Sequence, residues 1–254
     1  MAATEQPRPV CLITGGARRL GAAIATHLAP RFDLAIHYRS SAQEAEGLAA
    51  RLREKGGRVE LFQADFADHD DTARLVPEAV ERMGRIDMMV SSASQFDFDT
   101  PSEFSPAVMQ RLLSVNLVAP MILACELALA GSPEATLVHM LDSKVFSLNP
   151  DFFSYSLSKI ALKGSIEMQA MHFRGKLRVC GIAPSVTLVS GDQSPENFEK
   201  SWRHTLTGSG PTPQDIGGAV EFIWDTKSLN GSTITLDGGQ HLMGLQRDVA
   251  FVVE

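Results

Sequence analysis

Short apolar runs alternate with helix-length stretches along almost the whole chain, and this alternation restricts the fold more than any other feature. Runs typical of strands lie at residues 10–14, 34–37, 59–63, 88–91, 136–140, 179–182 and 233–236. Helical patterns lie between them at residues 21–28, 42–54, 70–83, 108–130 and 154–172. Strand, helix, strand at this spacing gives parallel strands joined by crossover helices, with both faces of the sheet covered. We therefore predict an α/β fold with one doubly wound parallel sheet of about seven strands.

No linker, repeat or low-complexity segment interrupts the pattern, so residues 1–254 are predicted to form a single domain. Two segments depart from the alternation. Residues 188–213 are rich in Ser, Thr, Gly and Pro and long for a connection, which is typical of a lid over a substrate. Residues 245–254 form an apolar tail after the last strand. We expect this tail to pack either on another subunit, bringing Arg247 near that subunit's site, or on its own subunit.

Composition and charge exclude several classes of protein. The formal net charge of −7 argues against a nucleic-acid partner, because phosphate binding needs a basic surface. No apolar signal-peptide core opens the chain, and no uncharged run approaches the roughly 18–20 apolar residues of a membrane span. Cys11, Cys125 and Cys180 lie in apolar runs without motif spacing and are predicted to be buried thiols. We expect a cytoplasmic protein without a membrane partner or a metal site.

A glycine-rich turn follows the first predicted strand and opens a helix: Thr14-Gly15-Gly16-Ala17-Arg18-Arg19-Leu20-Gly21. Glycines at such a turn let the backbone approach a pyrophosphate on the helix N-terminus. The second strand ends in His37-Tyr38-Arg39-Ser40, without the acid that holds the ribose hydroxyl in NAD sites. An arginine there can instead bind a 2′-phosphate. An ordinary tight turn with solvated arginines is the alternative. We predict NADPH as cofactor, contacted by Gly15, Arg18, Arg19, Leu20, His37, Tyr38, Arg39 and Ser40.

Tyr155 and Lys159 lie four residues apart at the start of a long helical pattern, which places them on one helix face. A nearby ammonium group favours phenolate and would lower the tyrosine pKa from about 10. The phenol could then give a proton as a hydride arrives. The Tyr-x-x-x-Lys pattern also occurs by chance, so its meaning depends on the glycine turn and on the Ala183-Pro184-Ser185 segment that follows.

With these motifs, and with Leu236-Asp237-Gly238-Gly239 at the last strand, the chain resembles a short-chain dehydrogenase/reductase over nearly its whole length. The resemblance implies a Rossmann-type NADPH-binding catalytic domain and a homotetramer. It implies that Lys159 also holds the nicotinamide ribose, that Asn116 completes a proton relay and that Asp65 contacts the adenine. The further cofactor contacts that it implies are Phe66, Ser92, Ala93, Tyr155, Lys159, Pro184, Ser185 and Val186.

Three departures from the common family pattern point to a narrower group. Arg19 replaces the middle glycine of the turn, Ser91-Ser92-Ala93-Ser94 replaces N-N-A-G, and Asp142 replaces the catalytic serine thirteen residues before Tyr155. The changes are similar to those in pteridine reductases and in bacterial dihydromonapterin reductases, also called alternative dihydrofolate reductases. An aromatic residue, here Phe96, follows closely in those enzymes.

The chemistry of these departures supports the reduction of a dihydropterin, such as dihydromonapterin or dihydrofolate, to the tetrahydro form. A carboxylic acid with a raised pKa can give a proton to a ring nitrogen, whereas a carboxylate would repel the alkoxide of a carbonyl reduction. Phe96 could stack on a flat heteroaromatic ring, and Arg19 could donate to its carbonyl group. The predicted substrate contacts are Arg19, Ser94, Phe96, Asp142, Tyr155 and Leu188.

Two other functions stay open at this point. The first is a carbonyl reductase of 3-oxoacyl thioesters or small ketones, with Ser143 as the catalytic hydroxyl and Asp142 as a bystander. Independently of this choice, core packing is the alternative for Phe96. The second is a non-catalytic NADPH-sensing protein, against which the retained Asn116, Tyr155 and Lys159 argue. The sequence does not distinguish one dihydropterin from another.

Overall fold

Seven parallel strands form one sheet in the order β3-β2-β1-β4-β5-β6-β7 in the computed structural model, which describes residues 7–253. The strands are β1 (Val10–Thr14), β2 (Asp33–Tyr38), β3 (Val59–Gln63), β4 (Met88–Ser91), β5 (Ala135–Met140), β6 (Leu177–Pro184) and β7 (Thr233–Leu236). Every strand pair is parallel. The predicted sheet is therefore confirmed, with strand ends that differ from the prediction by two residues at most.

Helices cover both faces of the sheet. They are α1 (Arg19–Leu28), α2 (Ala42–Arg53), α3 (His69–Met83), α4 (Pro106–Leu113), α5 (Ala119–Ala130), α6 (Phe153–His172), α7 (Pro195–Arg203), α8 (Pro213–Asp225) and α9 (Val249–Val252). Ile24, Leu48 and Val220 bring α1, α2 and α8 into the core on one face. Leu75 and Ile166 belong to the core on the other face, with α3, α5 and α6. This arrangement confirms the doubly wound architecture.

A π-helical turn, Ser114–Val118, joins α4 to α5 and makes Pro106–Ala130 one continuous helix. The helix is long and apolar enough to cross a membrane by length and composition, a test that core helices also pass. Its apolar residues Leu123 and Leu127 are buried in the core, and Asn116 is fully buried within the π turn. The polar side chain in mid-helix thus belongs to the interior of the protein.

The segment at residues 188–213, predicted to be a loop, contains a helix. Ser194 caps α7 by accepting a hydrogen bond from the Asn197 N–H at 3.1 Å. The sequence pattern also missed α8, which begins with a capping box between Thr212 and Asp215. Both helices open with a proline in their first turn, where the missing N–H costs no hydrogen bond.

The C-terminal tail packs on its own chain through residues 245–253; Glu254 lies outside the described residues. The buried carboxylate of Asp151 accepts from Arg247 Nε and from the Asp248 N–H, both at 2.7 Å. Asn197 Nδ2 donates to the Ala250 carbonyl at 2.8 Å, which ties the tail to α7. Within the single chain the tail therefore packs on its own subunit, and its approach to another subunit's site stays a prediction.

The three cysteines differ in exposure. Cys11 and Cys180 are buried in strands, whereas Cys125 is exposed on α5. The prediction of three buried thiols is wrong for Cys125, because the apolar run of α5 is wider than the face that packs on the sheet.

Candidate active site

One cleft of about 1420 Å³ lies at the carboxyl ends of β1, β4, β5 and β6. The strand order reverses between β1 and β4, which is where open α/β sheets bind ligands. Ligand pockets for drug-sized molecules measure about 300–1,000 Å³, so this cleft has room for a dinucleotide and a second flat molecule. All of the predicted site residues except Asn116 line it.

The glycine turn is shaped by close backbone contacts. Gly15 has φ +62°, and a Cβ atom there would lie 2.9 Å from Ala93 Cα. A Cβ atom at Gly21 would lie 2.2 Å from the Gly15 carbonyl oxygen. Arg19 has φ +50°, the left-handed conformation that glycine adopts without strain, and its side chain is exposed in the cleft. The arginine therefore occupies a position with glycine geometry at about 1–3 kcal/mol of backbone strain.

His37 supports this turn from behind. Its Nδ1 accepts from the Gly15 N–H at 3.1 Å, its Nε2 bonds to the Ala64 carbonyl at 3.1 Å, and its ring stacks on Phe66. Burial lowers the pKa of His37 to about 4, so the imidazole is neutral at physiological pH. Both ring nitrogens thus bond to the backbone and the ring carries no charge, while the contact of His37 with the cofactor stays a prediction.

Thr14 links the glycine turn to the end of β4, a role that the sequence analysis missed. Its buried Oγ1 accepts from the backbone N–H groups of Ser92 and Ala93, both at 3.0 Å. Gly15 approaches Ala93 closely just beyond this link. The threonine at the start of the glycine-rich turn was the signal for this link, because a buried hydroxyl must find hydrogen-bond partners.

Positive charge gathers at the end of the cleft next to β2. Arg18, Arg19 and Arg39 are exposed there, and Arg18 Nε lies 3.7 Å from Glu44. Arg39 also lines a smaller adjoining pocket together with Arg74. The three arginines predicted to converge are thus brought to one end of the cleft.

The lining of this end fits a dinucleotide with an additional phosphate. Gly15 and Gly21 leave no room for a Cβ atom, the first turn of α1 lines the cleft, and guanidinium groups lie beside β2. Ser185 Oγ is buried and has no hydrogen-bond partner within residues 7–253, as expected of a group that serves a ligand. Asp65 and Val186 also line the cleft, and Pro184 ends β6 beside it.

Asp142 and Tyr155 form a hydrogen-bonded pair at the other end of the cleft. The Tyr155 hydroxyl donates to Asp142 Oδ2 at 3.0 Å, and the Lys144 N–H donates to Asp142 Oδ1 at 2.9 Å. Desolvation raises the pKa of Asp142, while the charge of Lys144 and these hydrogen bonds oppose the rise. Asp142, rather than the neighbouring Ser143, contacts the phenol.

Lys159 does not lower the tyrosine pKa as expected. Its Nζ donates to the Met140 carbonyl at 2.9 Å and lies 5.8 Å from the centre of the Tyr155 ring. Burial, together with the adjacent Asp142 carboxyl, raises the pKa of Tyr155 well above 10, and burial lowers the pKa of Lys159 to about 8. The prediction is wrong because a carboxyl group, and not the ammonium group, contacts the phenol. Tyr155 is therefore held in its protonated form.

The start of α6, which carries Tyr155 and Lys159, is fixed by a buried acid. Asp99 Oδ1 accepts from the Ser154 N–H at 2.9 Å, and Oδ2 accepts from the Ser154 hydroxyl at 2.5 Å. Phe152 precedes the helix in the left-handed conformation, with φ +55°. A carboxylate is favourable at a helix N-terminus, and it sets the first turn of α6 here. The sequence analysis missed Asp99, which is far from the helix in the chain.

Asn116 binds the loop after β4 to α6. Its Oδ1 accepts from the Gln95 N–H at 2.8 Å and from the Ser94 hydroxyl at 3.0 Å. Its Nδ2 donates to the Gln95 carbonyl at 2.9 Å and to Ser158 Oγ at 3.1 Å. These bonds make it a positioning residue, and its part in a proton relay stays a prediction.

Aromatic rings line the cleft beside the Asp142–Tyr155 pair. Phe96 stacks on Phe152 with ring centres 4.2 Å apart and meets the Tyr155 ring edge-on at 4.6 Å. Phe98 and Phe251 extend the group. Phe96 is 43% exposed, so it is not a core residue. Together these rings offer an apolar wall to a flat heteroaromatic molecule.

Residues 7–253 contain no group of three or more His, Cys, Asp or Glu side chains that could hold a metal ion.

Known proteins are similar in sequence to most of this chain. The model of the short chain dehydrogenase family matches residues 9–199. Dihydromonapterin reductase of Klebsiella pneumoniae is 26% identical over 245 residues, which are 94% of this chain and 99% of the relative. An Escherichia coli dihydromonapterin reductase is 26% identical over 242 residues, covering 93% of this chain and 98% of the relative.

Solved structures of similar fold include two alternative dihydrofolate reductases. The FolM alternative dihydrofolate reductase 1 of Brucella suis, in complex with NADP, has a TM-score of 0.88 at 39% identity. The match covers 92% of this chain and 95% of that one. Its counterpart from Brucella canis, also with NADP, has a TM-score of 0.86 at 37% identity, covering 92% and 94%. With the family model matching most of its length, the chain belongs to the short chain dehydrogenase family.

Proposed function

We propose that this chain is an NADPH-dependent reductase of a dihydropterin, such as dihydromonapterin or dihydrofolate. The observation that carries the proposal is the carboxyl group of Asp142, which is hydrogen-bonded to the Tyr155 hydroxyl inside the cleft. The names of the similar proteins, dihydromonapterin reductase and alternative dihydrofolate reductase with bound NADP, support it. The wall of Phe96 and Phe152 supports a flat substrate.

One end of the cleft binds the cofactor, and the other end binds the substrate. Bound NADPH would supply a hydride to the carbon of the C=N bond. The guanidinium groups of Arg18, Arg19 and Arg39 hold phosphates, and Lys159 holds the nicotinamide ribose. Arg19, Ser94, Phe96 and Leu188 contact the pterin. Residues 188–213 act as the lid of a single catalytic domain, and residues 245–254 form its tail.

The nitrogen of the C=N bond needs a proton, and the Asp142–Tyr155 pair is suited to give one. Desolvation keeps the proton on Asp142 above the usual pH range for an aspartic acid. When Asp142 gives that proton to the nitrogen, the Tyr155 O–H already points at the carboxylate that remains and stabilises it. Tyr155 stays protonated because its own pKa is raised. The pair thus supplies one proton for each hydride.

A ketone substrate is less suited to this pair. Its reduction develops an alkoxide, which needs a neutral hydroxyl donor, and an ionised Asp142 would repel it. The hydroxyl of Tyr155 is bonded to the acid, and Ser143, the alternative donor, does not make that contact. If the proposal is wrong, the alternative functions are a carbonyl reductase and an NADPH-sensing protein without activity.

The test compares pH profiles of NADPH oxidation with dihydromonapterin, dihydrobiopterin and dihydrofolate. Turnover should be highest at mildly acidic pH and should decline as Asp142 ionises, because the acid form is the donor. Asp142→Asn keeps the shape without the titrating proton, so we expect a loss of about 10²- to 10⁴-fold and no such decline. Tyr155→Phe should also be severely impaired.

Acetoacetyl thioester distinguishes the alternatives. Asp142→Ser restores the common family arrangement and should lose dihydropterin turnover while gaining some carbonyl turnover. Full dihydropterin turnover by Asp142→Asn, with an unaltered pH profile, would contradict the proposal. The carbonyl-reductase function, with Ser143 as its hydroxyl, would then replace it.

We also propose that the protein is a cytoplasmic homotetramer without membrane or nucleic-acid partners. Leu129, Met168 and Met171 are exposed on α5 and α6, where a second copy would cover them. Free cysteines accord with a reducing compartment. The mass in solution, by light scattering, tests the assembly, and Met168→Lys should reduce it.

A further inference from the structure

A buried ion pair joins the C-terminal tail to the loop that carries Asp142. Lys144 Nζ lies 2.7 Å from Asp248 Oδ2, and Lys144 is only 9% exposed. The same ammonium group donates to Asn149 Oδ1 at 3.2 Å. The backbone N–H of Lys144 is the group that donates to Asp142 Oδ1. Lys144 therefore acts on Asp142 in two ways. Its backbone N–H fixes the carboxyl group, and its ammonium group places a positive charge nearby.

The position of Asp248 is fixed independently of this ion pair. Its backbone N–H donates to Asp151 Oδ2 at 2.7 Å, beside the contact from Arg247 Nε. Its Oδ1 accepts from the Ala250 N–H at 3.0 Å and so caps α9. The carboxylate is thereby held near Lys144 by the tail of the same chain.

We infer that Asp248 is a positioning residue for proton transfer on its own chain, because it neutralises Lys144 and so lets Asp142 keep its proton. The inference rests on the proposed function, in which Asp142 is the proton donor. An uncompensated ammonium group beside Asp142 would favour the carboxylate and remove the donor form. The two charges act on Asp142 in opposite directions: Lys144 lowers its pKa, and Asp248 raises it.

The other charged groups near Asp142 contact side chains or carbonyl groups other than the Lys144–Asp248 ion pair. Tyr155 and Lys159 face it from α6, and Lys159 stays on the Met140 carbonyl. Arg19 lines the same cleft from the glycine turn. Arg247 is paired with Asp151, and His241 Nδ1 lies 2.6 Å from Asp237 Oδ2. None of these pairs includes the side chain of Lys144 or Asp248, although the charge of Lys144 also lowers the pKa of Asp151.

The experiment measures the pH midpoint at which dihydropterin turnover declines. Asp248→Asn leaves Lys144 uncompensated, so the midpoint should fall by about one pH unit. Asparagine also caps helices, so α9 should persist. Lys144→Met removes the cation, keeps the backbone N–H on Asp142, and should raise the midpoint by a similar amount. The double variant leaves neither charge unpaired and should return the midpoint to within about 0.3 units of the wild type.

Matched controls lie outside the cleft. Arg31 and Asp225 form an exposed ion pair at 2.7 Å that does not line it. Asp225→Asn and Arg31→Met should leave the midpoint in place. Hydrogen exchange of residues 247–252 reports in each variant whether the tail stays docked.

Opposite shifts in the two single variants, cancelled in the double variant, support the inference, since loss of structure alone would not produce them. A lower rate at an unchanged midpoint, or shifts in the same direction, would overturn it. The failure of the proposed function is distinguishable. If the proposed function is wrong, Asp142→Asn keeps the wild-type pH profile. If only the inference on Asp248 is wrong, Asp142→Asn abolishes the decline, while the Asp248 and Lys144 variants leave the midpoint unchanged.

Discussion

Single residues divide the cleft into a positive end and an acidic end. Arg18, Arg19 and Arg39 lie beside the end of β2, whereas Asp142 and Asp248 lie beside the aromatic wall. The two ends therefore suit different parts of the bound molecules: phosphates at one, and a ring that accepts a proton at the other. Arg19 reaches its place through a left-handed backbone conformation at a glycine position.

Arg39→Asp tests the positive end. Replacing the guanidinium by a carboxylate should weaken NADPH binding about 10- to 100-fold, since a charge-assisted hydrogen bond contributes about 1.5–3 kcal/mol. NADH binding should change little. Titration calorimetry at fixed ionic strength measures both affinities. Arg174→Asp, an equal change of charge at an exposed residue outside the cleft, is the control. Equal affinity of the wild type for the two cofactors would contradict the assignment.

Residue identity alone could bring Asp142, Tyr155 and Lys159 together in the cleft but could not predict their protonation. Spacing put Tyr155 and Lys159 on one helix face, and the motif put Asp142 opposite them. The contact of Asp142 with the phenol reverses the expected direction of the tyrosine pKa. That contact joins a loop to a helix thirteen residues away, and its effect depends on burial, which no local pattern contains.

At the scale of elements, a few buried polar side chains fix the loops against one another. Thr14 ties the end of β1 to the end of β4, His37 supports the glycine turn from β2, and Asp99 fixes the start of α6. The loops that form the cleft are therefore set by bonds between elements that are distant in sequence.

Thr14→Val tests this dependence. The substitution keeps the shape but leaves the Ala93 N–H without its acceptor, whereas the Ser92 N–H keeps the Val90 carbonyl at 3.1 Å. At about 1–3 kcal/mol for a buried unsatisfied donor, the free energy of unfolding should fall by about 1–3 kcal/mol. Thr14→Ser keeps the hydroxyl and should cost only about 1 kcal/mol for the lost methyl group. Urea denaturation measures both. An equal effect of the two substitutions would mean that the hydroxyl is not the stabilising group.

Element prediction succeeded where apolar periodicity is strong and failed where it is interrupted. All seven strands were found, because buried parallel strands are short apolar runs between turns. The helices α7 and α8 were missed because Ser, Gly and Pro dominate the segment around them. Their caps, Ser194-Pro195 and Thr212 with Asp215, were available signals. The tail was harder, since its position depends on Asp151, nearly a hundred residues away.

At the scale of the whole molecule, two buried neutral histidines link stability to pH. Burial lowers the pKa of both His37 and His139 to about 4. In the unfolded chain a histidine titrates near 6.5. Between these values the unfolded state binds protons that the folded state does not, so stability falls as the pH falls from about 6.5 to about 4.

We expect each histidine to account for a loss of up to about 3 kcal/mol across this window. Urea midpoints at pH 7.5, 6.5, 5.5 and 4.5 measure the loss. His139→Gln, which cannot titrate, should flatten the profile by one histidine's share. A free energy of unfolding that is constant from pH 7.5 to 4.5 would contradict the expectation.

The π turn in the long helix also bears on how related chains can be aligned. The Ala119 N–H bonds to the Ser114 carbonyl, five residues back, so the turn holds one residue more than an α-helical turn. Because of this extra residue, the side chains of α4 and α5 face the core as they would in an uninterrupted α-helix that is one residue shorter. Deleting one residue here would leave Leu112 and Leu123 facing the core, while Asn116 would lose its inward position. In an alignment of related chains, a one-residue gap in this stretch therefore indicates that Asn116 has lost its contacts beside the cleft, and not only that the helix is shorter.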